Sequence, residues 1–328
     1  MSEKILEVKN LKTHFHTFKG TVKAVDGVEF SLEKGNILGI VGESGGGKSV
    51  TGFSLIRLID SPGEIVDGEI IFYGEDLLKK TDREIEKIRG KDISMIFQDP
   101  MTSLNPLFTI QEQIEEVLKL HSNLNDKERR LRCIELLKSV GIPNAEDRLK
   151  SYPHELSGGM RQRVIIAISI ALNPKLIIAD EPTTALDVTI QAQILKLLKE
   201  LVQKHGNSLI LITHDLAVVS EMTDEIIVMY CGKIVEQGKT DEVIEQSYHP
   251  YTEGLLNSIP RFREEKEHLD TIEGIVPNMF ELPKGCYFAP RCKYKNEICE
   301  LEQPEKREIS PKHYAACHFP LNGGNTND

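Results

Sequence analysis

Residues 37–49 read ILGIVGESGGGKS. Ile37 to Val41 is a short apolar run bounded by glycines, the composition of a strand buried on both faces. Directly after it, Gly42-Glu43-Ser44-Gly45-Gly46-Gly47-Lys48-Ser49 fits the phosphate-loop pattern G-x-x-x-x-G-K-[ST]. The glycines let backbone N–H groups turn inward around phosphate oxygens at the positive end of the helix that follows. The expected phosphate-contacting set is therefore Gly42, Ser44, Gly45, Gly46, Gly47, Lys48, Ser49 and Val50. Lys48 would neutralise β- and γ-phosphate oxygens, and the Ser49 hydroxyl would ligate Mg²⁺. A glycine-rich turn with no ligand is the competing reading of this stretch alone.

Working outward, Leu176-Ile177-Ile178-Ala179-Asp180-Glu181 is an apolar strand with two consecutive acids at its C-terminal end, where sheets of this type bind ligands. Asp180 is placed to hold Mg²⁺, and Glu181 to orient and polarise an attacking water. Alone, such a pair reads as a solvated turn; beside a phosphate loop it reads as catalytic. Leu209 to Ile212 is a third apolar run of the parallel-sheet kind. Between the runs, residues 107–149 turn helical, with Ile114, Val117, Leu118, Leu131, Ile134 and Leu137 at helical spacing. After about Ser258 the texture becomes charged and proline-punctuated, which predicts a domain boundary, and the chain ends in a polar stretch, NGGNTND.

The 328 residues are 40% hydrophobic and 28% charged, the balance of a globular chain with ample core material. The longest nearly unbroken apolar stretch, Val164 to Leu172, is far shorter than the roughly 20 residues of a membrane span. MSEKILEVKN carries no apolar segment of a secretory signal, so a cytoplasmic chain is expected. A formal charge of −11 argues against nucleic acid or anionic lipid as a partner.

Leu156-Ser157-Gly158-Gly159-Met160-Arg161-Gln162-Arg163 narrows the reading. Ser157 can cap a helix, and the two glycines allow an anion to approach exposed N–H groups. The segment resembles the signature loop of ABC ATPases, and the other elements of that family follow in order. Gln98 in Met95-Ile96-Phe97-Gln98-Asp99-Pro100 resembles the Q-loop, which touches the metal. Ala185-Leu186-Asp187 resembles the D-loop, His214 the switch histidine, and Phe15, with Phe18 as rival, the aromatic that stacks on adenine. The resemblance covers roughly the first 250 residues. It implies an α/β fold: a P-loop NTPase (ABC ATPase) core over residues 1–258, with a helical subdomain at about 102–156 and a small cysteine-bearing C-terminal domain at 259–328. It implies catalytic roles for Glu181, His214 and Gln98, Mg²⁺ held by Ser49, Gln98 and Asp180, and ATP gripped between two chains, with the signature loop of Ser157, Gly158 and Gly159 closing on the nucleotide of the partner and Asp187 among the nucleotide-binding residues.

His249-Pro250-Tyr251-Thr252 is physically a proline-initiated helix. It is similar to the segment that opens the C-terminal extension of dipeptide, oligopeptide and nickel importer ATPases. That resemblance implies a second homologous ATPase, two membrane permeases, an extracytoplasmic peptide-binding protein and a place at the cytoplasmic face of the membrane. Nickel or another small solute is the other cargo it allows. A soluble ABC ATPase of DNA repair or translation is a remote alternative, since this chain has neither a long coiled-coil insertion nor a second cassette.

Cys286, Cys292, Cys299 and Cys317 follow the spacing C-x5-C-x6-C-x17-C among several prolines. Four thiolates closing on a metal would stabilise such a segment, but this spacing names no metal. Similarly placed cysteines in some peptide-importer ATPases carry a [4Fe–4S] cluster, so the resemblance implies one here, with zinc or unligated thiols as alternatives. Cys133 and Cys231 read as packing residues.

Overall fold

The computed structural model describes residues 3–184, 186–259 and 271–322. The chain forms two compact units, Met1–Lys79 with Leu211–Asp328, and Lys80–Ile210. In the first unit β1 (Lys4–Thr17) and β2 (Gly20–Glu33) form an antiparallel hairpin in which Thr17 faces Gly20. β3 (Ile37–Val41) is buried along its whole length, and α1 (Lys48–Leu55) opens directly from the phosphate loop. β4 (Gly63–Phe72) and β5 (Glu75–Asp76) complete a sheet of order β2-β1-β4-β5. Its buried side chains include Ile5, Leu6, Leu11, Val25 and Ile70.

The second unit contains α2 (Asp82–Ile88), β6 (Ile93–Ile96), α3 (Pro100–Ser103), α4 (Ile110–His121), α5 (Asp126–Ser139), α6 (Ala145–Arg148), α7 (Gly158–Ser169), β7 (Leu176–Asp180) and α8 (Val188–His205). β6 and β7 pair in parallel, from Ile93↔Leu176 to Ile96↔Ala179. Capping boxes fix where the helices start: Glu112 accepts the Thr109 N–H at 2.7 Å, and Glu128 accepts the Asn125 N–H at 2.8 Å. α4 and α5 pack on α7, burying Ile114, Leu118, Cys133, Leu136 and Leu137. Leu131, which the periodicity places on the apolar face, is instead exposed. With α5 starting after Asn125, the inward row is Cys133, Leu136, Leu137 and Val140, spaced as one helix face requires.

β8 (Ser208–Ile212) carries the chain back to the first unit. There follow α9 (Leu216–Met222), β9 (Glu225–Tyr230), β10 (Lys233–Lys239), α10 (Thr240–Glu245), α11 (Pro250–Asn257), α12 (Glu297–Leu301), β11 (Arg307–Ser310) and β12 (His313–Ala315). Within this unit the strands run in the order β11-β12-β10-β9-β3, with β9 parallel to β3 and the others antiparallel. Ile272, Val276, Met279 and Leu282 pack onto a core of Val41, Val228, Tyr230, Tyr251, Leu256 and Phe288. The segment after residue 270 thus draws its stability from the core it shares with β3 and β9. Residues 323–328 of the polar stretch, and Ala185 of the D-loop segment, lie outside the described residues. Among the described residues, no helix is long and apolar enough to cross a membrane.

The phase of α5 is testable. Leu137→Ala, on the inward row of α5, should cost about 2–5 kcal/mol through lost burial and a residual cavity, whereas Leu131→Ala should stay within about 0.5 kcal/mol of wild type. Urea unfolding midpoints of the two variants check this.

Candidate functional site

The phosphate loop is shaped by what glycine lacks. Gly42 has φ 150 and Gly47 φ 94, and a Cβ at either would lie 2.2 Å from a carbonyl oxygen, that of Met229 or of Ala24. The Gly232 N–H donates to the Gly46 carbonyl, so the loop is laced to the β9–β10 turn. The Lys48 side chain folds back inside the loop, donating to the Gly42 carbonyl at 2.8 Å and the Glu43 carbonyl at 2.9 Å. A cradle that a methyl group would fill, with a buried ammonium held across its mouth, fits a phosphate group. Ser49 and Val50 lie in the first turn of α1. Phe15 lies half-buried in β1, its ring over Gly63, while Phe18 is 96% exposed at the hairpin tip. His214 is exposed just after β8, and Asp215 caps α9 by accepting the Ala217 N–H at 2.9 Å.

The second unit brings other predicted residues together. Gln98 Nε2 donates to Glu181 Oε2 at 3.1 Å, and Thr184 Oγ1 donates to the same oxygen at 2.9 Å. Asp180 is buried at the end of β7, whereas Glu181 turns out of the strand at φ 43, a left-handed conformation that a non-glycine residue adopts only when its surroundings enforce it. Ser157 caps α7, its Oγ accepting the Met160 N–H at 3.3 Å. Gly158 is exposed at the opening of that helix, and a Cβ on Gly159 would lie 2.8 Å from Ile190. Asp187 Oδ1 accepts the Ile190 N–H at 3.0 Å and so caps α8.

Sequence reasoning missed a buried support in the first unit. Glu236 of β10 accepts the Tyr248 N–H at 2.6 Å and the His249 N–H at 3.0 Å, and meets His313 Nε2 at 2.8 Å. Burial pushes the His249 ring down to about 3, so the ring stays neutral and its Nδ1 accepts the Tyr251 N–H as the cap of α11. Tyr251, named in the sequence only as part of a motif, directs its hydroxyl to the Glu43 N–H at 2.7 Å. Arg291 forms two hydrogen bonds to the Glu43 carboxylate. The only sequence signal for this support is the His-Pro-Tyr segment itself.

The expectation of a [4Fe–4S] cluster is overturned, and the zinc alternative with it. Among the described residues no group of three or more His, Cys, Asp or Glu side chains is arranged to hold a metal ion. Cys286, Cys292, Cys299 and Cys317 instead line a small space of about 20 Å³ together with Phe288 and Phe319. Burial raises the Cys292 thiol and lifts Cys286 to about 11 and Cys317 to about 12. The segment is held by packing instead.

Residues 25–184 match the ABC transporter family, and residues 235–299 match the oligopeptide/dipeptide transporter C-terminal region. The chain is 55% identical to the oligopeptide transport ATP-binding protein AppD of Bacillus subtilis, over 92% of each chain. It is 50% identical to the dipeptide transport ATP-binding protein DppD of Haemophilus influenzae, over 97% of this chain and 96% of that one. A dimeric ATP-binding cassette solved in a post-hydrolysis state with ADP and Pi superposes with a TM-score of 0.65 at 30% identity, over 72% of this chain and 98% of that one. Fold and phosphate loop together are those of an ABC ATPase. The chain belongs to the ATP-binding proteins of the oligopeptide/dipeptide ABC transporter family.

His249 makes acid stability a readout of the support. Unfolded, its imidazole takes a proton near pH 6.5; folded, it does not until about pH 3, so its contribution falls as pH drops through that window. Between pH 7 and pH 5 the loss should be about 1–2 kcal/mol. His249→Asn, whose Oδ1 can take the same cap, should show a correspondingly smaller drop when thermal unfolding is compared at the two values.

Proposed function

We propose that this chain powers an importer of dipeptides or oligopeptides by hydrolysing ATP at the cytoplasmic face of the membrane. The observation that carries the cargo is the match of residues 235–299 to the oligopeptide/dipeptide transporter region, which includes the Tyr251 contact to the phosphate loop. Full-length similarity to named peptide transport ATP-binding proteins supports the same reading. The membrane path then belongs to two permease subunits, and the peptide is delivered by an extracytoplasmic binding protein. A second homologous ATPase chain faces this one head to tail.

In this reading Gly42, Ser44, Gly45, Gly46, Gly47 and Val50 present backbone N–H groups to the phosphates, and Lys48 exchanges its two loop carbonyls for β- and γ-phosphate oxygens. Phe15 stacks on adenine. Ser49, Asp180 and Gln98 each supply an oxygen of the hard kind that Mg²⁺ takes. Mg²⁺, when bound, offsets the charge of the β- and γ-phosphates. Glu181 accepts a proton from the attacking water, in an orientation held by Gln98 and Thr184. His214 contacts the γ-phosphate. Ser157, Gly158 and Gly159 offer the N-terminus of α7 to the nucleotide held by the partner ATPase, and Asp187 lies beside them through Ile190.

Lys48→Ala should weaken ATP binding by roughly 10–100-fold, the worth of a charge-assisted contact, whereas Glu181→Gln should bind ATP normally and lose roughly 10²–10⁴-fold in hydrolysis. Nucleotide titration and phosphate release in the assembled transporter measure both. Ser157→Arg should leave ATP binding to the isolated chain intact and stop transport. Loss of labelled-peptide uptake on removal of this subunit, with nickel uptake unchanged, supports the cargo; the converse result refutes it.

A further inference from the structure

Glu43, the second residue of the phosphate loop, is held at each of its polar groups. Its N–H donates to the Tyr251 hydroxyl at 2.7 Å. Its carbonyl accepts the Lys48 ammonium at 2.9 Å and the Gly46 N–H at 3.2 Å. Its carboxylate takes both arms of the Arg291 guanidinium, at 2.6 Å and 3.0 Å, in the bidentate geometry that fixes direction as well as distance. The loop lysine and the loop's outer anchor therefore share one residue.

Arg291 is itself tightly fixed. Its side chain is 4% exposed, and it also donates to the Tyr230 hydroxyl and to the carbonyls of Ile272 and Glu273. Its guanidinium lies 5.9 Å from the ring centres of Tyr230 and Phe288. Tyr251 is fixed with it, packed 4.6 Å from Tyr230 and 5.3 Å from Phe288 between ring centres. Arg291 bonds Glu43 across 248 positions of sequence, so the residues after 270 touch the loop directly.

We propose that Arg291 is a positioning residue for ATP: through Glu43 it holds the phosphate loop in the shape in which Lys48 and the loop N–H groups meet the phosphates, so that the C-terminal segment sets nucleotide affinity. A buried ion pair elsewhere in the unit would stabilise the fold without reaching the nucleotide. This pair grips the residue whose carbonyl holds the phosphate-binding lysine. The proposal rests on the reading of Gly42–Ser49 as the phosphate site.

The test compares ATP titrations and steady-state hydrolysis for full-length Arg291→Ala, Arg291→Lys, Glu43→Ala, Glu43→Gln and the Arg291→Ala/Glu43→Ala pair, with Lys48→Ala as reference. Arg291→Ala should weaken ATP binding roughly five- to tenfold and raise KM, with kcat at saturating ATP close to wild type. Arg291→Lys, which keeps the charge and loses the fork, should fall between. The double variant should bind no more weakly than the poorer single one, because both remove the same contact. Glu43→Gln leaves the Arg291 bonds to Ile272 and Glu273 in place, and decides the matter if Arg291→Ala does not fold. Wild-type affinity in Arg291→Ala or Glu43→Gln while Lys48→Ala has lost ATP would overturn the proposal, as would additive deficits in the double variant or a fall in kcat at unchanged KM. Wild-type affinity in Lys48→Ala would instead overturn the phosphate-site reading on which it rests.

Discussion

Between Val41 and Lys48 the backbone passes so close to neighbouring carbonyls that two positions have no room for a side chain. At Gly42 the obstacle is the Met229 oxygen, and at Gly47 the Ala24 oxygen. Much of the first unit serves that approach. β9 and β10 deliver Met229 and Gly232 to the loop, and β2 delivers Ala24. Lys48 is buried because the loop closes around it and supplies two carbonyls in place of water.

The second unit solves a different problem, that of aiming a carboxylate. Asp180 ends a strand in regular geometry, while the next residue leaves it in a left-handed turn that points Glu181 at Gln98 and Thr184. Local strain of this kind persists only where several contacts over-determine it. The capped starts of α7 and α8 provide two more fixed points, Ser157 and Asp187, joined through the packing of Ile190 on Gly159.

What could be read in the sequence was local. β3 coincides with the apolar run Ile37 to Val41, because five successive apolar residues suit only a strand covered on both faces. The helix opening at Pro250 was equally legible, since proline is tolerated at a first turn. The phase of α5 was less so. Leu131 and Leu137 look alike by spacing, and only the start set by Asn125 decides which turns inward. The support of the loop was not legible at all. Glu236, His313 and Arg291 are ordinary polar residues until folding brings them to partners tens to hundreds of positions away. The cysteines misled for a related reason, since spacing reports the order of thiols along the chain and says nothing of how packing arranges them, and among the described residues they form no metal-holding group.

The division of the chain also orders its synthesis. Lys80–Ile210 is continuous, so its contacts are all available once the ribosome has passed that stretch. The other unit is interrupted by it. Its first 79 residues leave the ribosome with β3 lacking β9, with Glu236 and the His313 strand still untranslated, and with Glu43 ahead of its arginine by 248 positions. Such long-range closures are slow, and they leave apolar strand edges exposed while they wait. The nascent phosphate loop therefore gains its full support only after Arg291 has been translated.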